Sequence, residues 1–361
     1  MIRILVIDDS IIVRRTLFTL LNKEPDFSVV GTAKNGLEGL EKLAELKPDI
    51  VTLDVMMPVL DGLQTLSRLR ETDLATPVIM FSSLTESGAS ATMEALSRGA
   101  DDFVMKPSQS LNPLTDTTGS IQGQLIPKIR GLAKKTRNKW DTAHGKEPVP
   151  YVFRMPRVTA RNILERRNNR PDIVAIGVST GGPEALHKVL PSLPESFSVP
   201  VMVVQHMPSL FTRALAERLD KFCKLKVKEA EEGEILEAGT IYLGSGDFHL
   251  TVKRDGTKVR AVKTRTPPVN SCRPSVDVLF SSLAGVFGRR TLALVFTGMG
   301  KDGLEGCRDL RSAGATIFVQ DKKSSVIWGM PGHVARANLA NKVISLDRVT
   351  YEITRALARP I

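Results

Sequence analysis

A serine stands among glycines in Gly177-Val-Ser-Thr-Gly-Gly182, directly after the apolar run Ile173-Val-Ala-Ile176. A strand ending this way must turn sharply before the next helix, and glycine supplies the backbone freedom for the turn. Ser179 is thereby carried to a sheet edge, where a nucleophile can meet its substrate. Serine is a poor nucleophile near neutral pH; a histidine must take its proton, and a carboxylate must hold that histidine's tautomer. Of five histidines, His206 directly follows the apolar run Val201–Gln205 and emerges at the same edge, so it is the expected base. His144 lies in a Pro-containing segment, His187 inside the helix after Ser179, His249 among short β-like pieces, and His333 in a late loop-helix region. Asp302, in Phe296-Thr-Gly-Met-Gly-Lys-Asp-Gly303, follows the run Thr291–Phe296 and is the expected acid. It could also cap a helix over Gly303–Ala313. Asp277 and Asp321 are weaker candidates, and Asp277 falls within a helical pattern. Backbone N–H groups at Thr180 and Gly181, opening a helix, suit a developing oxyanion, and the Gly298–Gly300 loop with Met299 could complete the pocket.

A second constellation lies near the N-terminus. Asp8 and Asp9, Asp54, Ser82 and Lys106 each fall at the end of a short apolar run. Three carboxylates gathered at one edge repel each other unless a cation joins them, and oxygen ligands with waters suit Mg²⁺. Such a metal would also offset the charge of a phosphoryl group attached to Asp54. Ser82 could hydrogen-bond a phosphoryl oxygen and Lys106 pair with it. Read singly, these aspartates would be helix caps or turn formers. Their common placement at strand ends argues for a phosphoacceptor site.

The elements that must position these groups are legible as alternating runs. Ile2–Ile7, Ser28–Gly31, Ile50–Leu53, Val78–Ser82 and Asp102–Met105 are expected strands, separated by stretches of helical spacing such as Leu37, Leu40, Leu43 and Ala44. Five β-α repeats predict a doubly wound parallel sheet, whose sites lie beyond the carboxyl ends of the strands. From residue 171 the alternation resumes. Val201–Val204, Thr291–Phe296 and Thr316–Val319 read as buried parallel strands, and Phe211–Phe222 and Pro274–Phe287 as helices. Lys226–Lys228, Thr240–Leu243, His249–Val252 and Val259–Val262 are short and separated by glycine-containing turns, so an antiparallel extension is expected there.

Composition bounds the function. At 361 residues two domains are expected, and the 42% apolar and 25% charged shares are those of a globular protein. No apolar stretch is long enough to span a membrane, and the N-terminal run is short and ends in two aspartates, unlike a signal peptide. Cys223, Cys272 and Cys307 show no metal-ligand spacing and leave an odd thiol, which fits a reduced, cytoplasmic protein. The net charge of +11 divides into −6 for residues 1–126, +10 for 127–170 and +7 for 171–361. The middle segment contains Pro127, Pro148, Pro150 and Pro156, is flanked by Pro171, and reads as a charged, self-repelling linker. Basic residues concentrated there, and an α/β rather than a small helical C-terminal half, argue against a nucleic-acid-binding output.

Residues 1–120 resemble the receiver domain of bacterial response regulators, through Ile7-Asp-Asp-Ser10, Leu53-Asp-Val-Met-Met-Pro58, Asp61-Gly62, Phe81-Ser-Ser83 and Lys106-Pro107. The G-x-S-x-G pattern is weak alone, and the order Ser, His, Asp is not that of the α/β-hydrolases. Its surroundings are specific. Ile176–Pro183, Gln205-His-Met-Pro208, Arg273–Phe280, Thr297–Gly303 and Trp328-Gly-Met-Pro331 resemble the protein-glutamate methylesterase domain of bacterial chemotaxis, the CheB family, over about residues 172–346. The resemblance implies a flavodoxin-like receiver over 1–126, a linker over 127–170 and a methylesterase domain over 171–361. It implies phosphorylation of Asp54 by a histidine kinase. Mg²⁺ would be held by Asp9, Asp54 and the Met56 carbonyl, with Asp8 assisting through water, and Ser82 and Lys106 would sense the phosphoryl group. Phe103 replaces a common switch tyrosine, so only packing could relay the signal there. The implied triad is Ser179, His206 and Asp302, acting without metal on glutamate methyl esters, and on certain glutamines, of chemoreceptors. The unphosphorylated receiver is expected to block the esterase cleft.

Overall fold

The computed structural model describes residues 1–106, 121–133 and 170–358. The chain divides into two compact units. In the first, β1 (Ile2–Ile7), α1 (Ile11–Leu21), β2 (Phe27–Ala33), α2 (Gly36–Leu46), β3 (Ile50–Asp54), α3 (Gly62–Thr72), β4 (Val78–Ser82), α4 (Glu86–Ser97) and β5 (Asp102–Met105) alternate strictly. The five strands are all parallel in the order β2-β1-β3-β4-β5. β3 and β4 are buried along their whole length, as strands covered on both faces must be. Each helix opens on a side-chain cap, Ser10, Asn35, Asp61 or Thr85, that accepts a first-turn N–H. The first cap is Ser10, so Asp8 and Asp9 are left for other work.

A further helix, α5, spans residues 121–133 and crosses the expected boundary between 126 and 127. Pro127 removes one hydrogen bond inside it, which ordinarily costs about 3 kcal/mol. Packing outweighs that loss. Leu125, Ile126, Ile129, Leu132 and Ala133 are buried. Lys128 pairs with Asp102 at 2.9 Å, and Arg130 with Glu24 and Asp26 at 2.6 and 2.7 Å. Two charges expected in a solvated linker thus belong to the first unit. The rest of that linker, with His144, lies outside the described residues, as does Pro107.

The second unit contains β6 (Ile173–Val178), α6 (Gly182–Val189), β7 (Val201–Gln205), α7 (Ser209–Asp220), β8 (Lys226–Glu229), β9 (Thr240–Leu243), β10 (His249–Asp255), β11 (Lys258–Thr264), α8 (Val276–Val286), β12 (Thr291–Val295), α9 (Leu304–Ser312), β13 (Thr316–Gln320), α10 (Met330–Arg336), β14 (Lys342–Ile344) and α11 (Val349–Leu357). Seven strands form one sheet in the order β14-β13-β12-β6-β7-β9-β8, every neighbouring pair parallel. β10 and β11 pair antiparallel, as a separate hairpin. Half of the expected antiparallel extension, β8 and β9, therefore belongs to the main sheet. β9 is buried throughout, and a four-residue strand covered on both faces has no alternation by which its direction can be read. The core of this unit runs from Ile173, Ala175, Ala293 and Val295 on the central strands to Leu279, Phe280 and Leu283 of α8 and Leu310 of α9. Among the described residues no helix is long and apolar enough to cross a membrane.

Candidate active site and phosphoacceptor site

β6 lies between β12 and β7, and the chain leaves it in opposite directions on its two sides. That is a topological switch point, where loops diverge and open a crevice beyond the carboxyl ends of the strands. Ser179 follows β6, His206 follows β7, and Asp302 lies in the loop after β12. Backbone hydrogen bonds stitch the three strand ends together: His206 N–H to the Val178 carbonyl at 3.1 Å, and Ser179 N–H to the Thr297 carbonyl at 3.0 Å. The turn after Ser179 needs its glycines. Gly181 has φ +76°, and a Cβ there would meet Val326 Cγ2 at 2.4 Å. A Cβ on Gly298 would lie 2.8 Å from Ser179 Cβ and 2.4 Å from Met330 Sδ, so this loop can approach the serine only as glycine.

His206 Nε2 lies 2.7 Å from Asp302 Oδ2. The other ring nitrogen, Nδ1, is therefore the one left to act as base, and the Cys272 Sγ stands 3.5 Å from it. No side-chain hydrogen bond of Ser179 is formed among the described residues. Gly182 donates to the Ser179 carbonyl at 2.8 Å, and Gln205 Nε2 donates to the same oxygen at 3.0 Å. The N–H groups of Thr180 and Gly181 are left at the mouth of α6 with no acceptor among the described residues, as oxyanion donors must be. Met299 is half-buried in the facing loop.

Asp302 is tied down on both oxygens. Oδ2 also accepts from Val276 N–H at 2.7 Å, and Oδ1 accepts from Ser275 Oγ at 2.8 Å, Asn270 Nδ2 at 3.0 Å and Asp277 N–H at 3.2 Å. It thus caps a helix, but α8 rather than the α9 that follows it in sequence. Asp277, inside α8, accepts from Gly306 N–H of α9 at 2.7 Å and from Asn270 Nδ2 at 2.8 Å. Each aspartate caps the other's helix. Burial works against both charges. For Asp302 the His206 contact and the α8 amides outweigh it and hold the carboxyl far below its usual range. For Asp277, burial and the neighbouring carboxylate raise it. Burial also works against a charged His206, yet the Asp302 hydrogen bond prevails and raises its pKa. Behind the acid, fully buried His249 accepts from Ser275 N–H at Nδ1 (3.2 Å) and contacts the Pro267 carbonyl at Nε2 (3.1 Å). Asn270, Cys272, Ser275 and His249 had no assigned role from sequence. Ser275 lies in the Arg273–Phe280 motif, but Asn270 and Cys272 sit in a loop, which gives no periodicity to read. His187 packs edge-on against Phe222, His333 bonds the Gly329 carbonyl of its own helix, and Asp321 caps a turn through Ser324. None of the three joins the site.

In the first unit Asp8, Asp9 and Asp54 each offer a carboxylate oxygen, all within 4.8 Å of one another. Lys106 Nζ bridges Asp54 Oδ2 at 2.6 Å and Asp8 Oδ2 at 2.9 Å. Burial raises the Asp54 carboxyl to about 6, with the Asp8 charge adding to the effect against Lys106. The Lys106 ammonium is thus the counter-charge shared by the buried carboxylates of Asp8 and Asp54, with the exposed Asp9 beside them. Three hard carboxylate donors with one ammonium between two of them leave net negative charge at the edge, which fits Mg²⁺. Ser82 Oγ donates to the Gly88 carbonyl at 3.1 Å. Met56 is exposed and its N–H reaches Asp54 Oδ1 at 3.4 Å, while Phe103 is buried under the Lys128 ammonium, 5.3 Å from its ring centre.

A receiver-type sheet with an acidic edge, joined to a parallel α/β unit whose switch point carries serine, histidine and aspartate, defines a two-part protein: a receiver-like module and a hydrolase. The family model for the CheB methylesterase matches residues 174–353, and that for the response regulator receiver domain matches residues 4–116. A protein-glutamate methylesterase/protein-glutamine glutaminase of Trichodesmium erythraeum is 44% identical over 98% of this chain and 99% of its own. One of the same name from Nocardioides is 44% identical over 99% and 96%. The crystal structure of the Thermotoga maritima CheB methylesterase catalytic domain covers 51% of this chain and 98% of its own, at 39% identity and a TM-score of 0.51. The chain belongs to the receiver-linked CheB methylesterase family.

Proposed function

We propose that this chain hydrolyses glutamate methyl esters, and deamidates particular glutamines, on methyl-accepting chemotaxis receptors, under control of phosphorylation at Asp54 by a histidine kinase. The observation that carries the catalytic part is the 2.7 Å contact of His206 Nε2 with an Asp302 fixed by the N-terminus of α8, one strand end away from Ser179. Ser179 Oγ attacks the ester carbonyl carbon while His206 Nδ1 takes its proton. Asp302 remains ionised and stabilises the imidazolium. The tetrahedral oxyanion is received by the Thr180 and Gly181 N–H groups beside Met299. On collapse, the departing oxygen takes the proton from His206 and leaves as methanol; for glutamine the leaving group is ammonia. Water, deprotonated by His206, then cleaves the acyl-serine and frees the glutamate.

In the first unit, Asp54 is the phosphoacceptor, and Asp8, Asp9, Asp54 and the Met56 carbonyl would hold Mg²⁺. When bound, the metal offsets charge on the phosphoryl group. Lys106, already between two carboxylates, pairs with the added phosphoryl oxygens, Ser82 gives up the Gly88 carbonyl to donate to them, and Phe103 follows by repacking. Methanol release from methylated receptor tests the reading. Ser179→Ala should lower it by roughly 10⁴–10⁶-fold with unchanged thermal unfolding. Release that survives the substitution would remove Ser179 as nucleophile.

A further inference from the structure

Cys272 is not used by the proposed reaction, yet it occupies the place beside the base nitrogen. Its Sγ lies 3.4 Å from the Asn270 carbonyl and 3.5 Å from His206 Nδ1, and either can accept the thiol proton. A tetrahedral Zn²⁺ bound about 2.0 Å from an imidazole nitrogen and about 2.3 Å from a thiolate sets those two atoms about 3.5 Å apart. The existing separation already has that value. The outer partner is in place too. Zinc-binding imidazoles donate their second N–H to a carboxylate, and His206 Nε2 contacts Asp302 at 2.7 Å. Asp302 is in turn fixed by Val276, Ser275 and Asn270, so the imidazole cannot rotate away from the sulfur. Both ligands are partly exposed, giving the ion a path from solvent. The other thiols compete poorly: Cys307 is fully buried, and burial beside Asp220 pushes Cys223 up to about 12.

We infer that His206 Nδ1 and Cys272 Sγ form a binding site for a thiophilic divalent cation such as Zn²⁺, with Asp302 as its outer hydrogen-bond partner and water completing the tetrahedron. Binding replaces the thiol proton, which leaves to water, by the metal. The site stands on geometry alone. Its consequence, reversible loss of esterase activity because the metal holds the base nitrogen, rests on the function proposed above.

The test uses the full chain with Mg²⁺ in excess to fill the receiver site, and Co²⁺ as the spectroscopic probe. A near-ultraviolet thiolate-to-cobalt band is expected at one equivalent, quenched by Zn²⁺, absent in Cys272→Ser, and needing about 10–100-fold more metal in Asp302→Asn. Zn²⁺ should stop methanol release, a zinc-selective chelator should restore it, and Cys272→Ser should need at least about tenfold more Zn²⁺ for the same loss. No band, a band that survives Cys272→Ser, or equal inhibition of wild type and Cys272→Ser would overturn the site. The expected band on a chain that releases no methanol even when metal-free would keep the site and overturn the esterase reading.

Discussion

At the scale of single residues, the pairing of His206 with Asp302 sets opposite demands on pH. The base must be neutral to accept the Ser179 proton, and Asp302 raises its pKa above the usual value near 6.5. The esterase rate should therefore rise with pH, with a slope of one on a logarithmic scale, until His206 loses its proton in the alkaline range. In Asp302→Asn that limb should move toward lower pH while the rate falls by roughly 10⁴-fold, as when a triad acid is neutralised elsewhere. A limb that stays in place would separate Asp302 from the base. Stability has the opposite sign. A histidine whose pKa is raised by folding adds stability below its unfolded value, and that contribution disappears as pH climbs through the folded one. Fluorescence-monitored unfolding should show the catalytic unit weakening where its activity grows. Ser179, His206 and Asp302 were legible in the sequence because each follows an apolar run that can only be a buried strand. Cys272 and Asn270 were not, because a loop residue is brought to a site by folding and leaves no spacing to read.

At the scale of elements, the site is as much a helix junction as a sheet edge. Asn270 Nδ2 donates to Asp302 at 3.0 Å and to Asp277 at 2.8 Å, bridging the two carboxylates. Asn270→Ala should cost about 1–3 kcal/mol of unfolding free energy, the usual penalty for leaving a buried polar group unpartnered. It should also shift the alkaline limb of activity, because Asp302 would be less firmly aimed at His206. A variant with wild-type stability and pH profile would assign the bridge no role. The expected cap on Gly303–Ala313 was half legible: an aspartate before a helix is a good capping signal, but side-chain direction is set by packing of α8 against α9. β8 and β9 illustrate the same limit, since a run of four residues is too short to carry a sign of parallel or antiparallel pairing. In α5, a proline read as an interruption is overridden by a buried apolar stripe and two sets of ion pairs.

At the scale of the whole molecule, the two units are joined through residues 134–170, a segment of net charge +8. If Asp54 governs the esterase, a small phosphodonor with Mg²⁺ should raise methanol release by wild type and leave Asp54→Asn at its basal rate. Lys106→Ala, which frees Asp8 and Asp54 from their shared cation, should still take up phosphate but transmit less of the gain. Equal stimulation of wild type and Asp54→Asn would detach the receiver from the esterase. Removal of residues 1–133, the first unit with its α5, should raise the basal rate if the receiver restrains the cleft, and an unchanged rate would discard that restraint.

The crossed capping of α8 and α9 bears on how such a protein can change over generations. In many enzymes the catalytic groups are held against their preferences, so a lineage that abandons chemistry gains robustness when it discards them. Here the acid of the triad is also a rivet between two helices, with five hydrogen-bond contacts to the protein around it. A descendant that lost Asp302 would become a poorer catalyst and a looser fold in one step. Drift toward an inert relative is thereby steered to Ser179, whose side chain forms no hydrogen bond among the described residues, and silent members of such a lineage should be found lacking the nucleophile while keeping the aspartate.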